Sequence, residues 1–414
     1  MNHVIIGNGP AGVIAAETIR KHAPNDTITL IGDEAVPPYS RMAIPYLLIG
    51  NIDEAGTYLR KSKTHFADQR ITLKTGRVAK LDTANKHALL ESGEKIAYDR
   101  ALIATGSVPN KAPIPGIDLP NIFQCWTMAD ARNIIAHAKP GATVLQMGAG
   151  FIGCIIMEAL AARGTKLTIV EMGNRMVPRM MTEAAGGMIK TWCEAKGIAV
   201  HTDTKVTSIA QKGAKLIATL GNGKTIEADL IISSTGVKPN MAFLAGSGVT
   251  CEQGVLVDTR METNVPGVFA AGDVSQSLDF STGGRTVNAI QPIAADEGRI
   301  AGMNMAGKNA VSAGALSMNV LDTVDLIASS FGQWWGAEGG EHVEVRDDKR
   351  FHYLRLEFLG DHLIGATSLG HTEHVGVIRG LIQGRVKLGA WKAKLMRDPT
   401  KLMDAYLARA QDAA

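Results

Sequence analysis

The chain has 414 residues, of which 45% are hydrophobic and 20% are charged, with a formal net charge of +3 at pH 7. This length exceeds what one compact core supports, so two or three domains are expected. No apolar run is long enough to span a bilayer, and a strand that begins at His3 leaves no room for a signal peptide. These features exclude a membrane-spanning class and predict a cytoplasmic globular protein.

The cysteines are scattered and form no C-x-x-C or C-x4-C pair. This spacing excludes a disulfide framework, an iron–sulfur cluster held by this chain and a redox-active dithiol. Each cysteine is expected to behave as a small buried apolar residue. The four are Cys125, Cys154, Cys193 and Cys251.

The first predicted unit is a strand that runs directly into G-x-G-x-x-G, within His3–Gly12, followed by a helix over Val13–Arg20. Gly7 permits the tight turn, Gly9 lets the backbone approach a pyrophosphate, and Gly12 lets the helix pack on the strand. The helix N-terminus favours a phosphate there. The sequence therefore predicts a dinucleotide site at this turn.

A second strand, Thr27–Ile31, ends just before Asp33 and Glu34, where an acid can bind a ribose hydroxyl. Short strands follow, and then an apolar strand over Ala101–Ala104. Four prolines between residues 109 and 120 then indicate a domain boundary.

Beyond that boundary the same pattern recurs. A strand at Thr143–Met147 leads into G-x-G-x-x-G over Gly148–Gly153, then a helix over Cys154–Arg163 and a strand over Lys166–Val170 that ends at Glu171. Two fingerprints, each with an acid at the end of its second strand, predict two different dinucleotides.

The remainder predicts a hairpin turning at Asn222–Gly223, a return to the first domain through Gly267–Asp273, and a helix from Pro292 to Met305. A series of strands is then predicted from about residue 316 to residue 367. Helices over about 372–383 and 388–410, the second interrupted at Pro399, end the chain.

The order of the segments GNGPAG, LIATG, GAGFIG, GVKPN and VPGVFAAGD resembles the pyridine nucleotide–disulfide oxidoreductase superfamily of flavoproteins. Within it, GDE followed by PPYSR resembles the branch of NADH–rubredoxin reductases, ferredoxin reductases of oxygenase systems and nitrite reductase flavoproteins. The resemblance implies an α/β fold with two Rossmann-like domains, as in glutathione reductase, plus a small C-terminal α+β domain. The implied FAD-binding domain covers 1–114 and 240–310, the NAD(P)H-binding domain 115–239, and an interface domain with a basic helical tail 311–414. A homodimer is implied as well.

The resemblance also assigns cofactor residues, position by position. Those implied for FAD are Gly7, Gly9, Pro10, Ala11, Gly12, Asp33, Glu34, Arg41, Val78, Ala104, Thr105, Gly106, Gly272, Asp273, Gln291 and Pro292. Those implied for the nicotinamide nucleotide are Gly148, Gly150, Phe151, Ile152, Gly153, Glu171 and Gly236. Because Glu171 accepts from a free 2′-hydroxyl and repels a 2′-phosphate, NADH is favoured over NADPH, a preference that Arg175 moderates.

Three departures from the family stand near the expected flavin. Met42 occupies the place of the single cysteine of related NADH oxidases, so disulfide or peroxide chemistry there is excluded. Tyr46 and Ile155 replace a lysine–glutamate pair, and Trp126 replaces an arginine. Repacking of a drier pocket and altered nicotinamide docking or acceptor choice both remain open. Tyr46, Trp126 and Ile155 are flavin-proximal candidates, and no firm general acid or base is named.

Three further features carry weaker hypotheses. His371 and His374 form H-x-x-H without further ligands, so no metal is predicted. Trp334 and Trp335 are expected to be packing or interface aromatics, with an electron-transfer surface as the alternative. The basic, apolar segment 388–397 is expected to pack on its own domain, and a membrane surface or partner helix is less favoured.

The sequence thus predicts an FAD-dependent NAD(P)H oxidoreductase that needs no redox-active cysteine. Hydride passes from NADH to flavin, and electrons pass to a small electron-transfer protein, rubredoxin-like or ferredoxin-like, or to a partner reductase subunit. The alternatives are a peripheral membrane NADH–quinone reductase and a flavoprotein with mainly a binding or regulatory role. No nucleic-acid partner is expected.

Overall fold

A computed structural model describes residues 1–410 of the chain. Its helices are α1 (Pro10–His22), α2 (Ile44–Ile49), α3 (His65–Asp68), α4 (Met128–His137), α5 (Phe151–Ala162), α6 (Glu183–Ala195), α7 (Gln291–Met305), α8 (Val375–Gln383), α9 (Ala390–Arg397) and α10 (Leu402–Ala410). Short 3-10 turns lie at Arg41–Ala43, Glu54–Thr57 and Ala242–Leu244.

The strands up to residue 123 are β1 (Asn2–Ile6), β2 (Thr27–Gly32), β3 (Ile71–Thr75), β4 (Val78–Asp82), β5 (His87–Leu90), β6 (Lys95–Ala97), β7 (Arg100–Ile103), β8 (Ser107–Pro109) and β9 (Ile122–Phe123). The middle strands are β10 (Thr143–Met147), β11 (Lys166–Val170), β12 (Ala199–His201), β13 (Val206–Lys212), β14 (Lys215–Leu220), β15 (Thr225–Ala228), β16 (Leu230–Ser233) and β17 (Val237–Pro239). The last are β18 (Val255–Leu256), β19 (Val268–Ala270), β20 (Ser275–Leu278), β21 (Arg285–Thr286), β22 (Met318–Thr323), β23 (Leu326–Gly332), β24 (Glu341–Asp347), β25 (His352–Leu359) and β26 (His362–Leu369).

The chain divides into two compact units. Unit 1 comprises Met1–Val108 and Val237–Ala315, and unit 2 comprises Pro109–Gly236 and Leu316–Ala414. The boundaries of three domains given by the sequence stay a prediction.

Unit 1 is built on a five-stranded parallel sheet in the order β19-β7-β1-β2-β3. Parallel neighbours need a crossover, and α1 supplies it between β1 and β2. Helix α7 crosses α1 closely, since an added Cβ at Gly298 would lie 2.3 Å from the carbonyl oxygen of Ala11 and one at Gly302 would lie 2.8 Å from that of Ala15. Both glycines of α7 are therefore required by packing.

Unit 2 repeats this plan with a parallel sheet in the order β12-β11-β10-β16-β9. It also contains an antiparallel sheet in the order β22-β23-β26-β25-β24. The two parts are joined by side chains, because Trp192 Nε1 donates to Val324 O at 2.9 Å and Thr182 Oγ1 donates to the Tyr353 hydroxyl at 3.0 Å.

The C-terminal helices pack on their own part of unit 2. Helix α10 contacts α8 and α9, and Leu388, Leu395, Leu402 and Ala405 are buried. This is the arrangement favoured by the sequence. Helices α4 and α6 and strand β13 were not predicted, although the fold class, the two fingerprint units and helix α7 were.

Candidate functional site

The turn between β1 and α1 leaves one of its glycines open to a ligand. Gly7 has a φ of +114°, and an added Cβ there would lie 2.0 Å from the carbonyl oxygen of Ala104. An added Cβ at Gly12 would lie 1.9 Å from Gly7 O. At Gly9 an added Cβ meets no atom of residues 1–410 within 4 Å. The protein backbone therefore requires Gly7 and Gly12, whereas Gly9 faces open space that fits a pyrophosphate.

The two long helices of unit 1, α1 and α7, begin without a capping side chain among the described residues, as do the short helices α2 and α3. Neither Gly9, the N-cap of α1, nor Ile290, the N-cap of α7, makes a side-chain cap hydrogen bond within the described part of the chain. Gly272 adjoins both helices, because an added Cβ would lie 3.2 Å from Cβ of Ala11 and 3.4 Å from Cβ of Ala294. Uncapped N–H groups at helix N-termini attract negative charge. Such ends fit the pyrophosphate of FAD and the pyrimidine side of its flavin.

Asp273, one of the residues that the resemblance implies for FAD, follows Gly272 and lies beside a buried carboxyl group. Glu297 of α7 is 5% exposed and accepts from Gly272 N at 2.8 Å, Ser275 Oγ at 2.7 Å and Ser277 Oγ at 2.6 Å. Burial raises the pKa of Glu297 above its ordinary value, although these donors lower it. Burial also raises the pKa of Asp273, against the charge of Arg41 and a hydrogen bond from Ser107. Glu297 thus fixes the backbone that carries Asp273.

The segment after β2 is held by an ion pair. Arg41 Nη2 lies 3.1 Å from Glu34 Oε1, and the Tyr39 hydroxyl donates to both oxygens of Glu34 at 2.9 Å. Burial lowers the pKa of Arg41, but Tyr39 and Glu34 beside it raise it by more, so the guanidinium stays charged. Glu34 is engaged in this way, whereas Asp33 is exposed. The assignment of these two acids to a ribose stays a prediction.

Other residues implied for FAD also lie in unit 1. Thr105 Oγ1 donates to Asn240 O at 2.8 Å, and Gly106 O accepts from Asn240 N at 2.9 Å. Val78 is buried at the start of β4. Ser40 Oγ donates to Oε1 of Gln291, the first residue of α7, at 2.5 Å, which ties that helix start to the segment carrying Arg41.

The turn between β10 and α5 repeats the geometry of the first fingerprint. Gly148 has a φ of +98°, and an added Cβ there would lie 2.4 Å from Ser234 O. An added Cβ at Gly153 would lie 2.6 Å from Gly148 O, and at Gly150 it meets no described atom within 4 Å. Gly150, like Gly9, is the N-cap of its helix. A second dinucleotide fits here.

Glu171 lies at the end of β11, where the predicted ribose ligand belongs. Its Oε2 accepts from Ala149 N and its Oε1 accepts from Gly173 N, both at 2.7 Å. Phe151 and Ile152 form the first turn of α5. Gly236 follows β16 with a φ of +94°, two residues after the Ser234 carbonyl that lies against the fingerprint.

All residues predicted for FAD therefore lie in unit 1 and all those predicted for the nicotinamide nucleotide lie in unit 2. The flavin-proximal candidates are divided, with Tyr46 in unit 1 and Trp126 and Ile155 in unit 2. Tyr46 is 57% exposed and Met42 is 46% exposed. Trp126 N donates to Asp130 Oδ2 at 3.0 Å, within a capping box that begins α4. Their predicted positions near a flavin stay predictions.

Three cysteines are buried, as expected, but Cys251 is exposed, so the expectation of burial is wrong there. Burial raises the pKa of Cys125 and of Cys154, and raises that of Cys193 to about 12. Cys251 also has a pKa raised by partial burial. Thiolates are thus disfavoured at all four positions.

The structure also shows the surroundings of the histidines and tryptophans that the sequence singled out. No group of three or more His, Cys, Asp or Glu within residues 1–410 is arranged to hold a metal ion. The ring of His371 lies against that of His352, with centroids 4.5 Å apart and the ring planes tilted by 49°. Trp334 and Trp335 pack edge to face, and Trp335 is 57% exposed. None of the helices formed by residues 1–410 has both the length and the apolar character needed to cross a membrane.

Comparison with known proteins assigns the family. The model of the family described as pyridine nucleotide-disulphide oxidoreductase matches residues 1–296. The chain belongs to this family. It is an NAD(P)H-dependent oxidoreductase that moves electrons between a nicotinamide nucleotide and flavin, and the predicted cofactors, FAD and NADH, are confirmed.

Two relatives and one solved structure are similar to this chain as well. The chain is 34% identical over 404 residues, 96% of its length and 95% of the relative's, to NADH-dependent phenylglyoxylate dehydrogenase subunit epsilon of Aromatoleum evansii. It is 31% identical over 273 residues, 66% of either chain, to the biphenyl dioxygenase system ferredoxin–NAD(+) reductase component of Paraburkholderia xenovorans. In fold it matches the covalent putidaredoxin reductase–putidaredoxin complex, with a TM-score of 0.91, 20% identity and 98% of each chain covered. The predicted fold class is confirmed.

Two residues beside the site were missed by sequence reasoning. Glu297 resembles one more charged residue on an amphipathic helix, next to Asp296 and Arg299. Gln146 belongs to a predicted strand, and a glutamine between Leu145 and Met147 is the signal in the sequence that could have identified it.

Proposed function

We propose that this chain oxidises NADH at FAD and passes the electrons to an iron–sulfur protein, without a redox-active cysteine. The observation that carries the proposal is the pair of matched fingerprints, each with two glycines required by backbone contacts and a third that faces open space. When both cofactors are bound, the dihydronicotinamide supplies hydride and the flavin accepts it as an electron pair. The chain's own residues bind the two dinucleotides and hold them in place.

The choice of NADH over NADPH follows from two side chains. Glu171 presents a carboxylate held by two backbone N–H groups, which favours a free 2′-hydroxyl and repels a 2′-phosphate. Arg175 could have neutralised such a phosphate. Its three nitrogens, however, donate to Met181 O at 3.0 Å, Asn174 Oδ1 at 2.9 Å and Pro178 O at 3.1 Å. We therefore expect Arg175 to support its own loop, and the preference for NADH to be strong.

Electron transfer without a thiol is supported by the residue at position 42 and by the burial of three cysteines. Met42 stands where related enzymes carry a cysteine, and a thioether forms neither a sulfenic acid nor a mixed disulfide. Because burial disfavours the thiolates of Cys125, Cys154 and Cys193, none of these replaces it. Electrons then leave the flavin for an outside acceptor.

The relatives' names favour an iron–sulfur acceptor. One is a ferredoxin–NAD(+) reductase component, which supports a ferredoxin-like partner. The full-length relative is a subunit of an NADH-dependent dehydrogenase. Because that match covers nearly all of both chains, a second candidate function is favoured by a specific observation: a flavoprotein subunit that passes electrons to NAD+ within a larger assembly.

An anaerobic titration of the purified flavoprotein with NADH tests the proposal. One NADH per FAD should bleach the flavin fully, because FAD takes one electron pair and no thiol pair takes a second. NADPH at the same concentration should bleach it far more slowly. A requirement for two NADH per FAD would refute the thiol-free scheme, and equal rates with NADPH would refute the assigned specificity. Running the reaction from reduced ferredoxin to NAD+ separates the two candidate directions.

A further inference from the structure

Gln146, the fourth residue of β10, is a polar side chain buried inside the second fingerprint. It is 0% exposed, and its Nε2 donates to Gly148 O and to Gly153 O, both at 2.9 Å. Because both partners are carbonyl oxygens, the contacting atom has to be the amide nitrogen. Its Oε1 is buried with no hydrogen-bond partner among residues 1–410. A buried acceptor without a partner costs free energy, so stability alone does not account for this residue.

The first fingerprint provides an internal comparison. An added Cβ at Gly12 would lie 3.2 Å from Cγ2 of Ile5, and an added Cβ at Gly153 would lie 3.1 Å from Nε2 of Gln146. Ile5 and Gln146 therefore occupy equivalent places beneath their turns. An apolar side chain suffices under the first turn, so the turn itself does not require the amide. The second fingerprint differs because Glu171 Oε2 accepts a hydrogen bond from Ala149 N, within the turn between β10 and α5.

The peptide unit between Gly148 and Ala149 links Gln146 to Glu171. Its carbonyl oxygen accepts from Gln146 Nε2, and its N–H donates to Glu171 Oε2 at 2.7 Å. In a trans peptide the C=O and N–H point in opposite directions, so fixing one end fixes the other. Gln146 thus determines which way this N–H points and where the carboxylate of Glu171 rests.

We propose that Gln146 is a positioning residue for NADH, acting through the Gly148–Ala149 peptide to hold the carboxylate of Glu171 where the adenosine ribose binds. This rests on the proposed function, in which Glu171 is the ribose ligand. The side chain itself does not touch the nucleotide.

The test replaces the amide by apolar groups of similar size. Gln146→Met keeps the length of the side chain, and Gln146→Ile copies the first fingerprint. Both should raise the dissociation constant for NADH about tenfold, as expected when a hydrogen bond that orders a charged group is lost. The maximal rate of flavin reduction at saturating NADH and the FAD content should change less than about twofold, since those interactions are untouched.

Coupling to Glu171 separates positioning from a general structural role. In a Glu171→Gln background, Gln146→Met should add little further loss of NADH affinity, because the group being positioned has changed. A matched control is Gln276→Met in unit 1, whose buried amide donates to Glu252 Oε2 and accepts from Gly254 N. That variant should leave the NADH dissociation constant within about twofold.

The outcomes are distinguishable. An unchanged NADH dissociation constant in a folded Gln146→Met or Gln146→Ile protein overturns the assignment while leaving the proposed function standing. If Gln146→Met lowers NADH affinity equally in the unchanged protein and in the Glu171→Gln background, the assignment is overturned as well. Failure of the unchanged protein to bind NADH would overturn the proposed function itself, and this assignment with it.

Discussion

Replacing Gly9 by alanine should weaken FAD binding without destabilising the fold. Gly9 has a φ of −74°, which alanine adopts freely, and an added Cβ meets no described atom within 4 Å. Alanine in place of glycine at an N-cap costs under about 1 kcal/mol. Gly12→Ala differs, because its Cβ would lie 1.9 Å from Gly7 O. Such overpacking costs about 1–3 kcal/mol or more.

Flavin content and stability are measured together on both variants. FAD-depleted Gly9→Ala should unfold in urea within about 1 kcal/mol of the unchanged protein, yet its FAD dissociation constant should rise at least about tenfold, the equivalent of about 1.4 kcal/mol. Gly187→Ala, another glycine with an open Cβ position among the described residues, serves as a control and should bind FAD normally. Normal FAD affinity in Gly9→Ala would refute the placement of the pyrophosphate at this turn.

Two further predictions concern stability. Glu297 has a folded pKa raised above its ordinary 4.5 by burial, so its contribution is fully present below about pH 4.5 and is lost as pH rises through the folded pKa. FAD-depleted Glu297→Gln should therefore gain stability relative to the unchanged protein from pH 4.5 to 8 in urea unfolding, and a pH-independent difference would contradict this. Leu395 is 0% exposed in α9, so Leu395→Ala should cost about 2–5 kcal/mol, against less than about 0.5 kcal/mol for the exposed Arg397→Ala. Equal, small effects of both would show that the tail does not pack on its domain.

The two fingerprints could be predicted from the sequence because local backbone sterics determine their glycines. A position whose Cβ would strike the carbonyl oxygen five residues before it, as at Gly12 and Gly153, or one at the end of the next strand, admits glycine and little else. The predicted turns at Gly7 and Gly148 were therefore found where the spacing placed them. Helix α7 was predicted for a similar local reason, since Pro292 suits a first helical turn.

Helix α6 could not be predicted in the same way. Its sequence contains Gly186 and Gly187, which weaken a helical pattern by about 1 kcal/mol each relative to alanine. Gly186 is required by packing, as an added Cβ would lie 2.5 Å from Met176 O. The local signal that remained was Thr182, whose side chain accepts from Ala185 N as an N-cap. Tertiary contact here outweighs local propensity, and the sequence alone does not reveal the contact.

The two site residues that sequence reasoning missed share one physical cause. Glu297 is held by serines about twenty residues away in the chain, and Gln146 is held by carbonyls of the turn that it supports. Each is polar, buried and bonded to backbone beside a predicted cofactor residue, Asp273 in one unit and Glu171 in the other. A fingerprint fixes where the phosphates go, but a carboxylate on a longer side chain needs a second group to orient it. These residues therefore determine the geometry around the two acids, which the glycine motifs leave open.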